Sequence, residues 1–272
     1  MNKSFWLRFS FSLVAVAIFF TLFSGCKKDA ETTYYDSVVL SSTTNSLAFL
    51  ITSSIIPPAG DYGLPVMEEI ANGSVSGLAT DEFFYMSLYP HLSDNMYNPF
   101  AENFMFKFDE NGDDTFENYP SFINNLTNYS YELDDFSASV VAHQDTVSIV
   151  RVGNLVRSSN GVLNMYVKLK YYTSFEERHS VAVYLYEKEV IGSQETINGT
   201  VENFVHKNVF STYVGSQYGV PITGTFDANH ETELFFTHDW GSKDLSNLGI
   251  LTVVYKLNCR NEPTGVFTVY KN

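Results

Sequence analysis

The strongest constraint on the fold is a strict alternation of apolar and polar side chains in the second half of the chain. Between residues 162 and 172 one face is entirely apolar and the other mostly polar. The apolar face consists of Leu163, Met165, Val167, Leu169 and Tyr171. The runs Val181–Leu185, Leu251–Tyr255 and Val266–Tyr270 repeat this period of two, which is that of a half-buried strand. Several such strands separated by polar turns predict an immunoglobulin-like antiparallel β-sandwich over residues 144–272.

The first half mixes two periods. Residues Ser37–Leu40, Leu47–Thr52 and Phe83–Leu88 read as short buried strands, and Phe104, Phe106 and Phe108 alternate as in a further strand. Residues 61–72 carry apolar side chains at helical spacing and are followed by Gly73. Strand–helix–strand order predicts an α/β unit over residues 38–143. The polar stretch at residues 138–146 marks the boundary, so we expect an α+β chain of two domains.

The N-terminus has the order of a secretory signal. Lys3 and Arg8 precede an apolar stretch at residues 11–23, and small residues Ser24 and Gly25 stand directly before Cys26. This order resembles the bacterial lipobox, which implies a signal peptide over residues 1–25 and acyl chains on Cys26. The alternative is a transmembrane anchor, but the apolar stretch is shorter than the roughly 20 residues that cross a bilayer.

Residues 26–37 then form a lipidated, flexible tether. No Asp follows Cys26 directly, so the usual signal for retention in the inner membrane is absent. The order of Lys27 and Lys28 before Asp29 and Glu31 resembles the surface-export signal of some Gram-negative lipoproteins. These residues predict an outer-membrane lipoprotein, on the periplasmic or the outward face, and the membrane is its partner through the lipid anchor.

The charge balance excludes nucleic acid as a partner. The chain has 31 acidic and 16 basic side chains and a net charge of −15. Removal of residues 1–25 takes away Lys3 and Arg8 and lowers this charge to −17. Nucleic acids and anionic headgroups both need Lys and Arg for binding, so such a surface repels them. Only two cysteines exist, Cys26 and Cys259, and with Cys26 acylated no disulfide can form. We expect Cys259 to be a buried, inert thiol.

The segment Thr200–Ile222 resembles the C-terminal domain of the outer membrane protein 28 family of Gram-negative envelope lipoproteins. Phe204, His206, Asn208 and Val209 keep part of a family pattern that has a further His and an Arg, both absent here. The turn at Gly219–Ile222 is also kept. The resemblance implies that the first half is a thioredoxin-like domain.

The resemblance also places the redox positions of that domain. The family's two cysteines fall on Pro57 and Gly60, followed by the family's Tyr-Gly at Tyr62 and Gly63. Thiol–disulfide exchange needs a thiolate and a resolving partner, so this domain should be redox-inactive. Pro120 occupies the place of the family's cis-proline. Tyr62, His206 and Asn208 are then candidates for a binding loop.

Other site motifs are weak. Asp109, Asn111 and Asp113 alternate as in an EF-hand loop, but Asp114 and Pro120 stand where that loop needs Gly and Glu, and an Asn-Gly turn explains the same residues. The six histidines show no metal-type spacing, and no Gly-x-Ser-x-Gly elbow is present. We therefore expect a non-enzymatic lipoprotein without cofactor that binds or adheres to a protein or envelope component. The alternatives are an envelope accessory protein, such as a thiol-independent chaperone or a residual enzyme, and a purely structural component.

Overall fold

A computed structural model gives the fold. It describes residues 34–40, 46–52, 54, 64–73, 83–90, 93–108, 121–123, 126–128, 138, 140 and 149–272. The predicted signal peptide, Cys26 and most of the predicted tether lie outside these residues. None of the helices within the described ranges has the length and hydropathy that a membrane span requires.

The described chain is mostly β. Its helices are α1 (Leu64–Ala71) and α2 (Pro99–Phe108). The strands before residue 144 are β1 (Ser46–Ile51), β2 (Phe83–Leu88), β3 (Ser121–Ile123) and β4 (Leu126–Asn128). The strands after it are β5 (Val150–Ser159), β6 (Val162–Tyr171), β7 (His179–Thr196), β8 (Gly199–Val214), β9 (Val220–Ile222), β10 (Glu231–Asp239), β11 (Leu248–Leu257) and β12 (Pro263–Lys271).

Two sheets organise these strands. The large sheet has the order β12-β11-β7-β8-β2-β1-β3-β4, with β9 on β7, and the small sheet has the order β10-β6-β5. Strands β1 and β2 are parallel and are connected through α1, while β3 runs antiparallel to β1 and β4 antiparallel to β3. The strand–helix–strand unit expected in the first half is therefore present, and the large sheet is mixed.

Local sequence explains both helices. Helix α1 buries Leu64, Met67 and Ile70 and ends at Gly73, whose φ of 77° is a conformation that glycine adopts without steric cost. Helix α2 begins after Asn98, whose side-chain oxygen accepts the N–H of Phe100 at 2.9 Å, and Pro99 takes the first helical position. The prediction of a strand from the alternation of Phe104, Phe106 and Phe108 is wrong. These residues belong to α2, which starts at the cap formed by Asn98.

The second half is a pair of packed sheets, as predicted. The small sheet and strands β7 and β11 of the large sheet share one apolar core, formed in part by Val152, Val167, Val183 and Val254. All five residues of the predicted apolar face of β6 are buried in it. The polar–apolar alternation thus predicted the inner face of β6 correctly.

The large sheet is continuous between the two halves of the chain. Strand β8 pairs in parallel with β2 at Ser87 and Val209. Tyr184 of β7 packs across this junction against Phe49 of β1, Phe100 of α2 and Phe210 of β8, at ring-centroid distances of 6.1, 5.5 and 5.9 Å. One apolar cluster therefore joins both halves.

The prediction of a buried strand at Ser37–Leu40 is wrong. Residues Tyr34–Asp36 form a helical turn, Ser37 and Val39 are exposed, and only Leu40 makes an isolated bridge, to Gly153. This docked segment (Tyr34–Leu40) lies on the outer face of the small sheet, where two tyrosine rings pack on Tyr166. The last residues of the predicted tether thus contact the second half of the chain, since the rings of Tyr34 and Tyr35 pack on that of Tyr166.

Strands β7 and β8 extend beyond the sandwich as a long hairpin. Strand β11 pairs with β7 only as far as Glu187, and from Glu189 to Lys207 the two strands pair with each other. We call residues 189–207 the arm. Its turn lies at Ile197 and Asn198.

Candidate functional site

The arm crosses the edge of the sheet where the parallel strands β1 and β2 end. The two strand ends lie side by side, since the N–H of Thr52 donates to the carbonyl of Leu88 at 2.9 Å. Just beyond them, the N–H of Glu195 in the arm donates to the carbonyl of Ser54 at 2.8 Å. The carboxyl ends of parallel strands are the usual place for a ligand site. In this chain the arm covers part of that edge.

The inner face of the arm makes a buried polar contact with the loop after β2. His206 and Tyr89 are both buried, and the Tyr89 hydroxyl lies 2.9 Å from Nδ1 of His206. Burial lowers the pKa of His206, and the Ser193 carbonyl and the charge of Asp94 oppose this shift. Burial, together with the charge of Asp94, raises the pKa of Tyr89 well above its ordinary value. A protonated phenol and a neutral imidazole therefore share one hydrogen bond.

The second ring nitrogen of His206, Nε2, lacks a well-formed hydrogen bond. Nε2 is buried and makes no hydrogen bond of acceptable geometry, although the Ser193 carbonyl is near enough to influence the ring. A Cβ added at Gly192 would lie 3.5 Å from Nε2, in ordinary contact. Glycine at this position leaves the arm backbone close to the imidazole.

Asp94 fixes the loop after β2. Its buried carboxylate accepts the N–H of Ser54 at 2.6 Å and the N–H of Met96 at 2.9 Å. The second of these bonds is an Asx turn, which is typical of short Asp and Asn side chains in loops. Backbone donors of this kind stabilise a buried carboxylate. Asp94 thereby holds the ends of β1 and β2 together beneath the arm.

A second group of polar side chains pins the base of the arm to α1. Lys207 Nζ lies 3.0 Å from Glu68 Oε1, and the Lys207 carbonyl accepts the hydroxyl of Ser87 at 2.9 Å. The buried Tyr85 hydroxyl lies near Glu68 and Asn208. Burial, then the charge of Glu68, raises the pKa of Tyr85, while Asn208 opposes the shift. No hydrogen bond of good geometry forms at this hydroxyl. The Lys207–Glu68 ion pair and the Ser87 hydrogen bond therefore hold the base of the arm against α1 and β2.

The outer side of the arm is apolar and exposed. Ile191 is 69% exposed and lies directly opposite Val205, so both project from one face. Ile197 at the turn and Val201 are exposed as well. Glu189 and Glu202 are exposed nearby. The outer face of the arm thus combines exposed β-branched side chains with nearby carboxylates.

The structure brings together two of the predicted site residues. His206 and Asn208 lie on strand β8, so the predicted loop in this segment is a strand, and its backbone pairs with β7 through most of its length. The predictions at Cys26, Pro57, Gly60, Tyr62 and Pro120 and the calcium candidates Asp109, Asn111 and Asp113 fall outside the described residues. Within the part of the chain that is described, no three His, Cys, Asp or Glu side chains are grouped as metal ligands.

Sequence reasoning missed Asp94 and the pairing of Tyr89 with His206. The Ser93-Asp94-Asn95 run is a turn signal, but it does not reveal that the carboxylate is buried. Cys259 was expected to be buried and is exposed, so that expectation is wrong. It lies in the turn after β11, past the last buried residue of that strand.

The two buried histidines predict that the protein loses stability in mild acid. Burial lowers the pKa of both His206 and His179 below their ordinary value of 6.5. Below pH 6.5 the unfolded chain binds protons that the folded chain does not, so the free energy of unfolding should fall as the pH falls. The slope is at most about 1.4 kcal/mol per pH unit for each histidine, down to its folded-state pKa.

Urea unfolding at several pH values between 5 and 7 measures this slope. The His206→Asn variant, which keeps an acceptor near Tyr89, should have a smaller slope than the unaltered chain. Replacement of the exposed, non-titrating Thr223 by Ala is the control and should leave the slope unchanged. An unaltered slope in His206→Asn would contradict the neutral imidazole.

Comparison with known proteins gives a likeness of fold. No family model and no curated protein matches the chain. Among solved structures, HBP35 of Porphyromonas gingivalis superposes with a TM-score of 0.66 at 11% identity, over 85% of this chain and 76% of that one. A DUF4848 family protein from Bacteroides thetaiotaomicron gives a TM-score of 0.17 at 12% identity, over 45% of this chain and 41% of that one, and supports no argument. The chain therefore has a fold that resembles that of HBP35.

Proposed function

We propose that this chain is a non-catalytic binding lipoprotein of the outer membrane, anchored at Cys26 and facing outward, whose arm presents the binding surface. The anchor is supported by the signal-like order of residues 1–25 and by the Lys-then-acidic run after Cys26. The observation that carries the binding proposal is the exposed apolar face of the arm, where Ile191 and Val205 stand opposite each other.

The strand order supports the finer assignment of the fold. Strands β1–β4 have the order β2-β1-β3-β4 with only the first pair parallel, which is the order of a thioredoxin-like unit, here over residues 38–143. With Pro57 and Gly60 at the redox positions, this unit would have no thiol chemistry. Strands β5, β6 and β10 face β7, β8, β11 and β12, as do the two sheets of an immunoglobulin-like sandwich, here over residues 144–272.

The arm surface suggests the chemistry of the partner. Rigid, exposed apolar side chains are the features that other proteins bury on association. The inner contacts of His206, Lys207 and Glu195 hold the arm before any partner arrives, which reduces the entropy lost on binding. Because Glu189 and Glu202 border the apolar residues, the matching surface on a protein partner would be apolar with basic residues around it.

Binding to isolated envelope fractions of the source cells tests the proposal. The full-length chain should bind these fractions saturably, and the double variant Ile191→Ser with Val205→Ser should bind at least about tenfold more weakly, equivalent to about 1.4 kcal/mol. The matched control replaces Val39 and Val220 by Ser, since both are exposed apolar residues outside the arm.

The outcome distinguishes the arm from other surfaces. Equal binding by both double variants would place the contact elsewhere and contradict the arm as the binding surface. Absence of saturable binding by the unaltered chain would favour a structural role. Turnover of a thiol or ester substrate by the full-length chain would contradict the non-catalytic assignment.

A further inference from the structure

The outer face of the small sheet carries the docked segment that leads from the predicted anchor. The rings of Tyr34 and Tyr35 pack on Tyr166 at centroid distances of 4.8 and 5.4 Å, and the Arg157 guanidinium lies 5.5 Å from the centre of the Tyr34 ring. These aromatic and cation–π contacts hold the start of the described chain on this face.

The backbone of the docked segment fits a place that only glycine allows. Leu40 forms a bridge with Gly153 of β5, and a Cβ at residue 153 would lie 2.1 Å from the carbonyl oxygen of Val39. Such a distance is far below contact, so any larger residue would displace the segment. The docked segment can therefore approach strand β5 this closely because residue 153 has no side chain.

The length of the chain between the anchor and this face limits their separation. Tyr34 is eight residues after Cys26, and eight fully extended residues span at most about 28 Å. An acylated Cys26 would therefore keep the outer face of the small sheet within that distance of the lipid surface.

The exposed side chains of this face suit a membrane interface. Val39 is 70% exposed and Phe235 is 51% exposed, and Tyr172 is exposed beneath the Arg151 guanidinium, which lies 4.7 Å from its ring centre. Phe235 continues the aromatic row from Tyr166, at a centroid distance of 5.2 Å. Aromatic rings and Arg side chains are typical of the boundary between water and hydrocarbon.

The charges of this face are balanced, in contrast to the acidic whole. Lys168 and Lys170 each lie 3.3 Å from a carboxylate oxygen of Glu231, and Lys168 also lies 4.0 Å from Glu233. Glu231 and Glu233 are therefore paired with cations, and the charge of Asp239 on β10 is offset by Arg151 and Arg157 on β5. A face of this kind can approach zwitterionic headgroups, whereas the net charge of −15 disfavours anionic ones.

We infer that the outer face of the small sheet, with Val39, Tyr172 and Phe235, rests on the surface of the lipid bilayer and turns the large sheet and the arm away from it. This inference rests on the proposed anchor at Cys26 and adds the orientation of the protein on the membrane. It makes the docked segment a positioning element that leaves the arm available to partners outside the cell.

Quenching by lipid measures the orientation directly. The acylated full-length chain with Cys259→Ser is reconstituted in phosphatidylcholine vesicles that contain a nitroxide-headgroup lipid. A fluorophore is attached through Phe235→Cys or, as the matched control, through Ile191→Cys on the arm. We expect at least threefold stronger quenching at residue 235 than at residue 191. A flexible insert of 20 Gly and Ser residues after Lys28 should reduce the difference in quenching between residues 235 and 191.

The readouts separate this inference from the proposed function. Equal quenching at both positions in protein that floats with vesicles would overturn the orientation and leave the anchor intact. Stronger quenching at residue 191 would reverse the orientation. Protein without acyl mass at Cys26, or protein that does not float, would overturn the anchor and the orientation with it.

Discussion

Replacement of Tyr184 by alanine should lower the free energy of unfolding by about 4 kcal/mol, as for other large-to-small changes of buried aromatic residues. Tyr184 is fully buried and contacts rings from both halves of the chain. Its hydroxyl also donates a hydrogen bond, with the Gln217 carbonyl at 2.9 Å and the Tyr255 hydroxyl at 3.0 Å as acceptors. The change would leave a cavity where the two halves meet, and the Gln217 carbonyl and the buried Tyr255 hydroxyl would lose Tyr184 as a hydrogen-bond partner.

Urea unfolding of the full chain, followed by near-UV and far-UV circular dichroism, measures the effect. The two signals should change together in the unaltered protein, because one apolar cluster spans both halves. Tyr184→Phe should lose about 1 kcal/mol, the contribution of the hydrogen bond. Tyr172→Ala, at an exposed tyrosine of the small sheet, is the matched control and should lose less than either. A Tyr184→Ala variant as stable as this control would contradict the role of Tyr184 at the junction.

Replacement of Cys26 by alanine should abolish acylation and release the protein from the membrane. Each buried methylene of an acyl chain contributes about 0.8 kcal/mol to membrane binding, and at least two chains are needed for stable anchoring. The effect should therefore be an almost complete loss of membrane retention.

Labelling with a palmitate analogue and flotation of vesicles measure this loss. Cys259→Ala is the matched control, because Cys259 is the other cysteine of the chain and is exposed, yet does not follow a signal sequence. The control should keep full labelling and full flotation. Labelling that persists in Cys26→Ala would refute the assignment of the lipidated residue.

Periodicity predicted the parts of the fold that depend on local pattern. The apolar face of β6 is buried as expected, because an alternating strand buries the same face wherever it packs. The strand at Ser46–Ile51 and the helix that ends before Gly73 were also predicted within a few residues. By contrast, residues 104–108 alternate like a strand, but the cap at Asn98 and Pro99 sets a helical start that alternation cannot reveal.

The candidate site could not be predicted in the same way, because its contacts join distant segments. His206 meets Tyr89, which is 117 residues earlier in the chain. Ser54 contacts Asp94 and Glu195 through its own backbone N–H and carbonyl, and every residue type other than proline has both groups, so the sequence does not indicate these bonds. The docked segment contacts Tyr166 and Gly153 across a similar distance. Sequence placed His206 and Asn208 among the candidates, while the arm and its contacts emerge only from the tertiary structure.

The parallel bridge between β2 and β8 has a consequence for the time course of folding. The Ser87 hydroxyl bonds to the carbonyl of Lys207, 120 residues later, so strand β2 is synthesised long before its neighbour β8. Contacts of such long range slow folding, and an unpaired strand edge is prone to associate with other chains. Until β8 has been synthesised, β2 therefore has an open edge, and this interval is when the nascent chain most needs protection from aggregation.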